Sequence, residues 1–317
     1  MEREPFFTLV VATYNRAAEL EACLSNLAQI EPVAECEHEV IVVDNNSGDE
    51  TRTVVERAAP RFDGRLRYAF VGRQGKGHAL NHGIDIARGQ VLGFTDDDAR
   101  VDPKWLCAAA AGLREFPRAA GFGGRVVAKW AVAVPRWISL EGPYRLHKCA
   151  ISGHDLGPRP RIYKQGDPYM PLPVGVNLFV RRETFARHGG FRTDLWPGED
   201  TELGLRLWRA GEEIVYLPEA VVVHPVDVAR LSKAYFRSWA HDKGRSMFRM
   251  EALLDPATRS QPAPGIPPYL FRMALSQAAG WITAVGDPVR RFHHECQLWG
   301  LWGQMREAWR GFGGSGN

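Results

Sequence analysis

Three consecutive carboxylates, Asp96, Asp97 and Asp98, follow directly on the apolar run of residues 91–95. Like charges this close repel one another, and each carboxylate is better solvated by water than at the end of a buried strand. A bound divalent cation would replace this repulsion with attraction, whereas a shared proton would leave an acid pair with separated pKa values. Side chains two positions apart in an extended turn point the same way, so Asp96 and Asp98 would face one ligand. An ordinary acidic surface turn before the next helix is the alternative.

Polar residues also follow two strand-like runs nearer the N-terminus. Thr13 and Tyr14 come at the end of the run of residues 7–13, and Asp44 ends the run of residues 39–44. Continuous Val, Ile and Leu runs separated by helical segments predict a parallel sheet that is covered on both faces. In such sheets the ligand binds beyond the carboxyl ends of the strands. We therefore expect the three polar clusters at one edge of one sheet.

The 317-residue chain has room for one large α/β domain, with or without an appendage. Strand-like and helix-like segments alternate over the first 130 residues, and similar signals return after residue 172. Between them, residues 129–172 are rich in Pro and Gly and lack periodicity, which is typical of a long, partly mobile excursion. From about residue 229 the pattern is helical. We predict an α/β domain over residues 1–228 and a helical extension over residues 229–317.

Charge is distributed unevenly along the chain. The formal net charge is only +3, which is too small to predict a nucleic-acid partner. Residues 1–228 hold 28 Lys and Arg against 31 Asp and Glu, whereas residues 229–317 hold 12 against 6 and are rich in Trp. Cationic, aromatic helices suit three roles: packing against the rest of the chain, contact with an anionic membrane surface, or a homodimer face.

The cysteines and the N-terminal sequence bear on location. Five scattered cysteines without CxxC spacing favour a reducing compartment over a disulfide framework or a zinc site. The N-terminal sequence lacks the pattern of a signal peptide, and no apolar stretch reaches the roughly 18 residues that span a bilayer. We expect a cytoplasmic protein, with peripheral contact to the inner face of the plasma membrane as an option.

Five segments, in order and in spacing, resemble glycosyltransferase family 2. They are "VVATYNR", "VIVVDNNSGDET", "GKGHALNHGIDIARGQVLGFTDDDARVDPKWL", "GVNLFVRRETFARHGGF" and "GEDTELGLRLWRAG". The resemblance covers roughly residues 5–228 and implies a GT-A fold, which is a Rossmann-like, mostly parallel α/β sheet flanked by helices. It also implies an inverting transferase that uses a nucleotide-diphosphate sugar, usually a UDP-sugar, with Mn²⁺ or Mg²⁺.

The same resemblance suggests roles for single residues. Asp96 and Asp98 match the DxD motif, with Asp98 as a direct metal ligand and Asp96 near the ribose and a metal-bound water. Asp44 resembles the carboxylate that accepts a hydrogen bond from the base. Other positions expected at the nucleotide are Ala12, Thr13, Tyr14, Lys76, Gly77, Asn81 and Asp97. Ala12 stands where the family often has Pro, and the start of a helix near Lys76 would favour phosphate.

Asp200, in the pair Glu199-Asp200, resembles the family's catalytic base. A carboxylate can deprotonate an acceptor hydroxyl if it is ionised and within ~3 Å. Capping of a helix is the alternative role for this acidic pair. His224 resembles the late residue that completes the metal site in related enzymes, and an imidazole suits Mn²⁺. It is otherwise an ordinary histidine before Pro225.

Three further residues are expected at the sugars. Gly175 and Asn177 resemble the segment under the donor sugar and beside the acceptor, and Trp196 suits either stacking on a sugar ring or burial in a core. Processive relatives carry QxxRW and membrane-spanning helices, which this sequence lacks. We therefore expect transfer of a single sugar to a glycan, glycolipid or lipid-linked saccharide.

Two other classes of function compete with this prediction. A nucleotidyltransferase would normally carry a Gly-rich, cationic loop after the first strand, and "VVATYNRAAEL" has none. A non-catalytic nucleotide-sugar binding module would not need the acidic residues Asp96, Asp98 and Asp200 together.

Overall fold

The computed structural model describes residues 6–34, 36–146, 151, 153–166, 172–254 and 265–310. The chain forms two compact units. The first comprises residues 1–129, 153–194 and 199–225, and the second comprises residues 130–152, 195–198 and 226–317. The division at residues 225–226 falls close to the predicted domain boundary at residue 228, whereas residues 130–152 of the predicted excursion belong to the second unit.

Within the described residues, a nine-stranded sheet and six α-helices form the first unit. Its strands are β1 (Phe7–Thr13), β2 (His38–Asp44), β3 (Leu66–Phe70), β4 (Val91–Asp96), β5 (Arg100–Val101), β6 (Gly121–Trp130), β7 (Arg161–Ile162), β8 (Leu178–Arg181) and β9 (Ile214–Val226). The helices are α1 (Ala17–Leu27), α2 (Thr51–Ala58), α3 (Lys76–Ile86), α4 (Trp105–Glu115), α5 (Arg182–His188) and α6 (Glu199–Arg209).

Four strands pair in parallel, in the order β3-β2-β1-β4. Every residue of β2 is buried, as expected for a strand of a parallel sheet with both faces covered. The register sets Thr13 opposite Asp44 and Ala12 opposite Asp96. The carboxyl ends of β1, β2 and β4 therefore lie side by side, as the sequence predicts.

The other half of the sheet is antiparallel, so the sheet as a whole is mixed. Strand β8 runs antiparallel to both β4 and β6, and β9 runs antiparallel to β5 and β7. Strand β9 is continuous through Pro218. Strand β7 pairs with residues 215–216 and β5 with residues 222–223. Pro218 lies between these two paired stretches, so its missing N–H falls outside the pairing with β5 and with β7.

Alternate residues of the strands enter two cores, one on each face of the sheet. Leu9 and Val11 lie in one core with Leu20 of α1, whereas Val10 lies in the other with Leu80 of α3. This alternation follows from the two-residue period of a strand. Apolar helix faces therefore cover both sides and leave the strand ends to carry the polar residues.

The described part of the second unit contains three long helices, α7 (Lys233–Leu254), α8 (Pro268–Thr283) and α9 (Pro288–Arg310). They occupy the segment predicted to be helical; the Pro-rich break begins outside the described residues. Helix α9 packs against both α7 and α8. A side chain at Gly244 would overlap the carbonyl of Gly300, so glycine permits a close approach of α7 and α9. None of the described helices is both long enough and apolar enough to span a lipid bilayer.

Candidate active site

The ends of three neighbouring strands supply polar residues to the candidate site. Asp96 is the last residue of β4, and Asp44 is the last residue of β2. Thr13 ends β1 between them. Because the strands are parallel and in register, these side chains meet at one sheet edge.

Asp96, Asp98 and His224 form a group that could hold a metal ion. Each offers one ligand atom, and these atoms all lie within 4.8 Å of one another. His224 comes from β9, and its Nε2 lies 3.3 Å from Asp98 Oδ1. Two carboxylate oxygens and an imidazole nitrogen suit a borderline divalent ion such as Mn²⁺. The donor set therefore fits the divalent metal that the sequence predicts.

The electrostatics of Asp98 and His224 favour the charged form of each. Burial opposes ionisation of Asp98, but the hydrogen bond and charge of His224, with Arg16, hold its pKa well below the usual range. Burial alone would lower the pKa of His224, but the hydrogen bond and charge of Asp98 raise it. Asp98 is thus available as an anionic ligand.

Asp97 points away from this group and into the protein. Thr13 Oγ1 donates to Asp97 Oδ2 at 2.7 Å, and Arg16 Nη1 lies 3.1 Å from Asp97 Oδ1. Burial raises the pKa of Asp97 to about 6, although Arg16 and Thr13 lower it. Both oxygens contact neighbouring side chains, so Asp97 helps to shape the turn.

Arg16 is a functional candidate that the sequence analysis missed. Its Nη2 donates to Asp98 Oδ2 at 2.8 Å, so one guanidinium contacts two of the three consecutive carboxylates. The signal was present: a cluster of buried carboxylates needs a cation, and Arg16 follows β1 at the same sheet edge. In the absence of metal, Arg16 partly compensates the charge of Asp97 and Asp98.

Lys76 supplies a second cation and connects the two acidic motifs. It is the first residue of α3, and its Nζ lies 2.6 Å from Asp96 Oδ1 and 3.9 Å from Glu199 Oε1. Burial would lower the pKa of Lys76, but Asp96 and Glu199 raise it. The ammonium group is therefore charged and held among carboxylates.

Asp200 lies in the first turn of α6 and is held by hydrogen bonds to both oxygens. Gly175 N donates to Asp200 Oδ2 at 2.8 Å, and Thr201 N donates to Oδ1 at 2.7 Å. The bond from Gly175 comes from outside the helix, so the carboxylate does more than cap α6. Glu199 beside it is buried. This arrangement fixes the orientation of the predicted base.

Gly77 and Asn81 hold the segment that precedes residue 194 against α3. Asn81 Nδ2 donates to Phe191 O, and Phe191 N donates to Asn81 Oδ1, both at 2.8 Å. A Cβ atom at Gly77 would lie 2.5 Å from Arg192 O, so only glycine allows this approach. Both residues act on a neighbouring loop rather than presenting a side chain to a nucleotide.

Asn177 is fully buried, and its amide is committed to the protein. Its Oδ1 accepts from the Trp105 indole at 2.8 Å, and its Nδ2 donates to the carbonyls of Arg125 and Ala220 at 2.9 and 2.7 Å. The expected contact with the acceptor is therefore not available to this side chain in the structure. Gly175, two residues earlier, instead contacts Asp200.

Asp44, Tyr14 and Ala12, which are expected at the nucleotide, lie at or next to the carboxyl ends of β1 and β2. Asp44 is buried, and its oxygens accept from Tyr68 OH at 2.7 Å and Ser47 N at 2.8 Å. Tyr14 is 47% exposed, and Ala12 is half-buried in β1. Asp44 is thus oriented, and Tyr14 is accessible to a ligand.

Asn45 shapes the loop before α3 and was not singled out from the sequence. Its Nδ2 donates to Arg73 O, and its Oδ1 accepts from Gly75 N, both at 2.8 Å. Gly75 has a φ of +131°. These bonds set the entry to α3 and so the position of Lys76.

Trp196 belongs to the second unit and is 63% exposed. Of the two roles that its sequence context allowed, burial in a core does not apply. Because the indole is exposed, stacking on a sugar ring remains a hypothesis for Trp196.

Comparison with known proteins identifies the family and the fold. The sequence profile of glycosyl transferase family 2 matches residues 8–189. The succinoglycan biosynthesis protein ExoM of Rhizobium meliloti is 30% identical over 256 residues, which cover 76% of this chain and 74% of that protein. Glycosyltransferase AglE of Haloferax volcanii is 26% identical over 234 residues, or 74% of this chain and 71% of that one.

A solved structure shows the same fold. The mannosyltransferase PcManGT from Pyrobaculum calidifontis, in complex with GDP-Man and Mn²⁺, superposes with a TM-score of 0.66 at 21% identity. The match covers 98% of this chain and 89% of that one. The fold is therefore the GT-A fold, and the protein is a glycosyltransferase. The chain belongs to glycosyl transferase family 2.

Proposed function

We propose that this enzyme transfers a single sugar, with inversion, from a nucleotide-diphosphate sugar to a hydroxyl group of an acceptor. The expected donor is a UDP-sugar, and the expected metal is Mn²⁺ or Mg²⁺. The observation that carries the proposal is the convergence at one sheet edge of the group Asp96, Asp98 and His224 with the cation Lys76, which also approaches Glu199. Residues 1–228 would form the transferase domain.

The donor set of the metal group supports metal dependence. A divalent ion bound there would act as a Lewis acid that stabilises charge on the departing diphosphate. Asp96, Asp98 and His224 would hold it, and the mannosyltransferase of the same fold is known in complex with GDP-Man and Mn²⁺. The nitrogen ligand favours Mn²⁺ over Mg²⁺, since Mg²⁺ prefers oxygen ligands.

Lys76 is well placed to support binding of the diphosphate. It begins α3, where backbone N–H groups and the helix dipole favour an anion. Asp44 and Tyr14 would then contact the nucleoside at the neighbouring strand ends.

Asp200 is proposed as the base for the acceptor hydroxyl. Its oxygens accept hydrogen bonds from Gly175 N and Thr201 N, so the carboxylate is fixed before substrate arrives. Taking the acceptor proton as the new bond forms would make the hydroxyl oxygen a better nucleophile, and attack opposite the diphosphate gives inversion. Glu199 would keep its place beside Lys76.

The acceptor is proposed to be a glycan, glycolipid or lipid-linked saccharide, which accords with a relative named for succinoglycan biosynthesis. A cytoplasmic location is supported by the free thiols of Cys23, Cys36 and Cys107, which suit a reducing compartment.

Release of nucleoside diphosphate from a panel of UDP-, GDP- and dTDP-sugars, with Mn²⁺ and candidate saccharide acceptors, tests the proposal. We expect Asp200→Asn to lower turnover at least 100-fold, since general base catalysis typically contributes about 10²–10⁴. Nucleotide affinity should stay within about threefold of wild type, because the base acts on the acceptor. Turnover that survives this substitution would contradict the assignment of the base.

A further inference from the structure

The second unit carries an exposed apolar stripe on α8, formed by Phe271, Leu275 and Ile282. These side chains are 51%, 72% and 63% exposed. Their spacing of four and seven residues places them on one face of the helix. A contiguous exposed apolar face generally marks a contact with another body. We call these three residues the α8 stripe.

Helix α9 carries a second stripe of different chemistry, formed by Trp302, Arg306, Trp309 and Arg310. The two indoles are 48% and 68% exposed, and both arginines are exposed. Positions 302, 306, 309 and 310 share one helical face. Tryptophan and arginine together are typical of side chains at the boundary between lipid headgroups and acyl chains. We call these four residues the α9 stripe.

The acidic residues of α9 are engaged elsewhere and do not neutralise this face. Glu307 is buried and pairs with Arg245 and Arg249. Glu295 accepts from Arg237 Nε at 2.6 Å. The charges that accompany the α9 stripe are therefore cationic.

The α8 stripe is also accompanied by a cation. The sequence from residue 268 to residue 286 contains no Asp or Glu, and its one charged residue is Arg272, which is exposed. Within the described part of the chain, neither Arg272 nor the arginines of the α9 stripe form a salt bridge. An anionic partner would therefore meet three arginines, Arg272, Arg306 and Arg310, that form no salt bridge with a described carboxylate.

We propose that the α8 and α9 stripes bind the surface of an anionic lipid bilayer. The apolar and indole side chains would enter the headgroup–acyl boundary, and Arg272, Arg306 and Arg310 would contact anionic headgroups. Charge decides between a bilayer and a second copy of the chain. A two-fold dimer through the α9 stripe would set Arg306 and Arg310 against their own copies, whereas an anionic bilayer complements them.

Flotation of the full chain with lipid vesicles tests the proposal. We expect binding to vesicles that contain about 30% phosphatidylglycerol in phosphatidylcholine, and at least tenfold weaker binding to phosphatidylcholine alone. Raising NaCl from about 0.05 M to about 0.5 M should weaken binding to the anionic vesicles, since salt screens surface charge.

Variants measure the contribution of each stripe to vesicle binding separately. Leu275→Ser with Ile282→Ser, and Arg306→Gln with Arg310→Gln, should each lower the affinity for anionic vesicles at least tenfold. Trp309→Ala should lower it several-fold, whereas Trp208→Ala, an exposed tryptophan of the first unit, should leave it unchanged. Trp309→Ala removes a single exposed ring and so serves as the second test if the α8 double variant does not fold.

Absence of flotation by the wild-type chain with anionic vesicles overturns the proposal. It is also overturned if Trp309→Ala and the Arg306/Arg310 variant float as well as wild type. Sedimentation velocity tests the alternative that a second copy of the chain binds the α8 stripe. A wild-type dimer that does not float, and that dissociates on substitution of Leu275 and Ile282, would assign the α8 stripe to a second copy of the chain.

Discussion

The ammonium nitrogen of Lys76 lies 2.6 Å from Asp96 Oδ1 and so ties the start of α3 to the end of β4. The same nitrogen lies 3.9 Å from Glu199 Oε1 at the start of α6. One cation thus contacts both acidic motifs, although they are about 100 residues apart in the chain. The start of α3, the end of β4 and the start of α6 therefore meet at this side chain.

Substitution of Lys76 should weaken binding of a nucleoside diphosphate. In Lys76→Met the phosphates lose one charge-assisted contact, and we expect the Kd measured by calorimetry to rise about tenfold. Lys104→Met, which removes an exposed lysine before α4, is the matched control and should leave Kd unchanged. An unaltered Kd in Lys76→Met would show that Lys76 serves the carboxylates alone.

Arg16→Gln tests whether this side chain holds the turn of Asp97 and Asp98 together. Arg16 lies 3.1 Å from Asp97 and 2.8 Å from Asp98, and its loss removes the guanidinium that pairs with both buried carboxylates, although Asp98 keeps its contact with His224. We expect a loss of roughly 2 kcal/mol in the free energy of unfolding without metal. Added Mn²⁺ should raise the Tm of Arg16→Gln more than that of wild type.

Thermal unfolding with and without Mn²⁺ provides the measurement. Arg52→Gln removes an exposed pair with Glu56 at 2.9 Å and should leave the Tm unchanged, because solvent screens such a pair. Equal Tm values for wild type and Arg16→Gln in metal-free buffer would contradict the role given to Arg16.

The sequence predicted which strand ends carry the acidic residues, because parallel strands in register bring their carboxyl ends together. That rule alone is enough to group Asp44 and Asp96, and the family resemblance added His224. The strand-end rule could not show that Asn81 and Asn177 form structural hydrogen bonds, because their partners lie 110 and 72 residues away. Such contacts depend on how loops fold back, which no local pattern encodes.

Asn177→Ala should destabilise the first unit. The substitution leaves the Trp105 indole and the carbonyls of Arg125 and Ala220 without partners in a buried position. At about 1 kcal/mol for each lost bond, the free energy of unfolding should fall by roughly 3 kcal/mol. Urea denaturation measures it, with the exposed Gln90→Ala as control. A change below about 0.5 kcal/mol would mean that water replaces these bonds.

His38 makes stability depend on pH. Burial and then the charge of Arg65 lower its pKa from 6.5 to about 4, and Arg65 Nη1 donates to the neutral ring at 2.8 Å. Above pH 6.5 the ring is neutral in both the folded and the unfolded state. As pH falls from 6.5 to 4 only the unfolded state gains the proton, so about 3 kcal/mol of stability is lost.

Chemical denaturation at a series of pH values checks this dependence. In His38→Gln, which keeps a polar side chain at the start of β2, the loss between pH 6.5 and pH 4 should be smaller than in wild type. Identical pH profiles for the two proteins would assign the loss to other groups.

The antiparallel half of the sheet could not be predicted from the sequence either. Residues 214–226 form one strand, and two very short strands, β5 and β7, give it partners on either side of Pro218. Two-residue strands leave no periodic signal, so their pairing is decided by tertiary contacts. His224 lies near the end of this strand, 3.3 Å from Asp98.

The central claim is that a metal and a nucleoside diphosphate bind together on Asp96, Asp98 and His224. Calorimetric titration of UDP, GDP and dTDP, each with and without Mn²⁺, on wild type and Asp98→Asn tests it most directly. We predict that one diphosphate binds wild type only with Mn²⁺ and that Asp98→Asn abolishes this binding. Binding that is indifferent to Mn²⁺, or that survives Asp98→Asn unchanged, would contradict the claim.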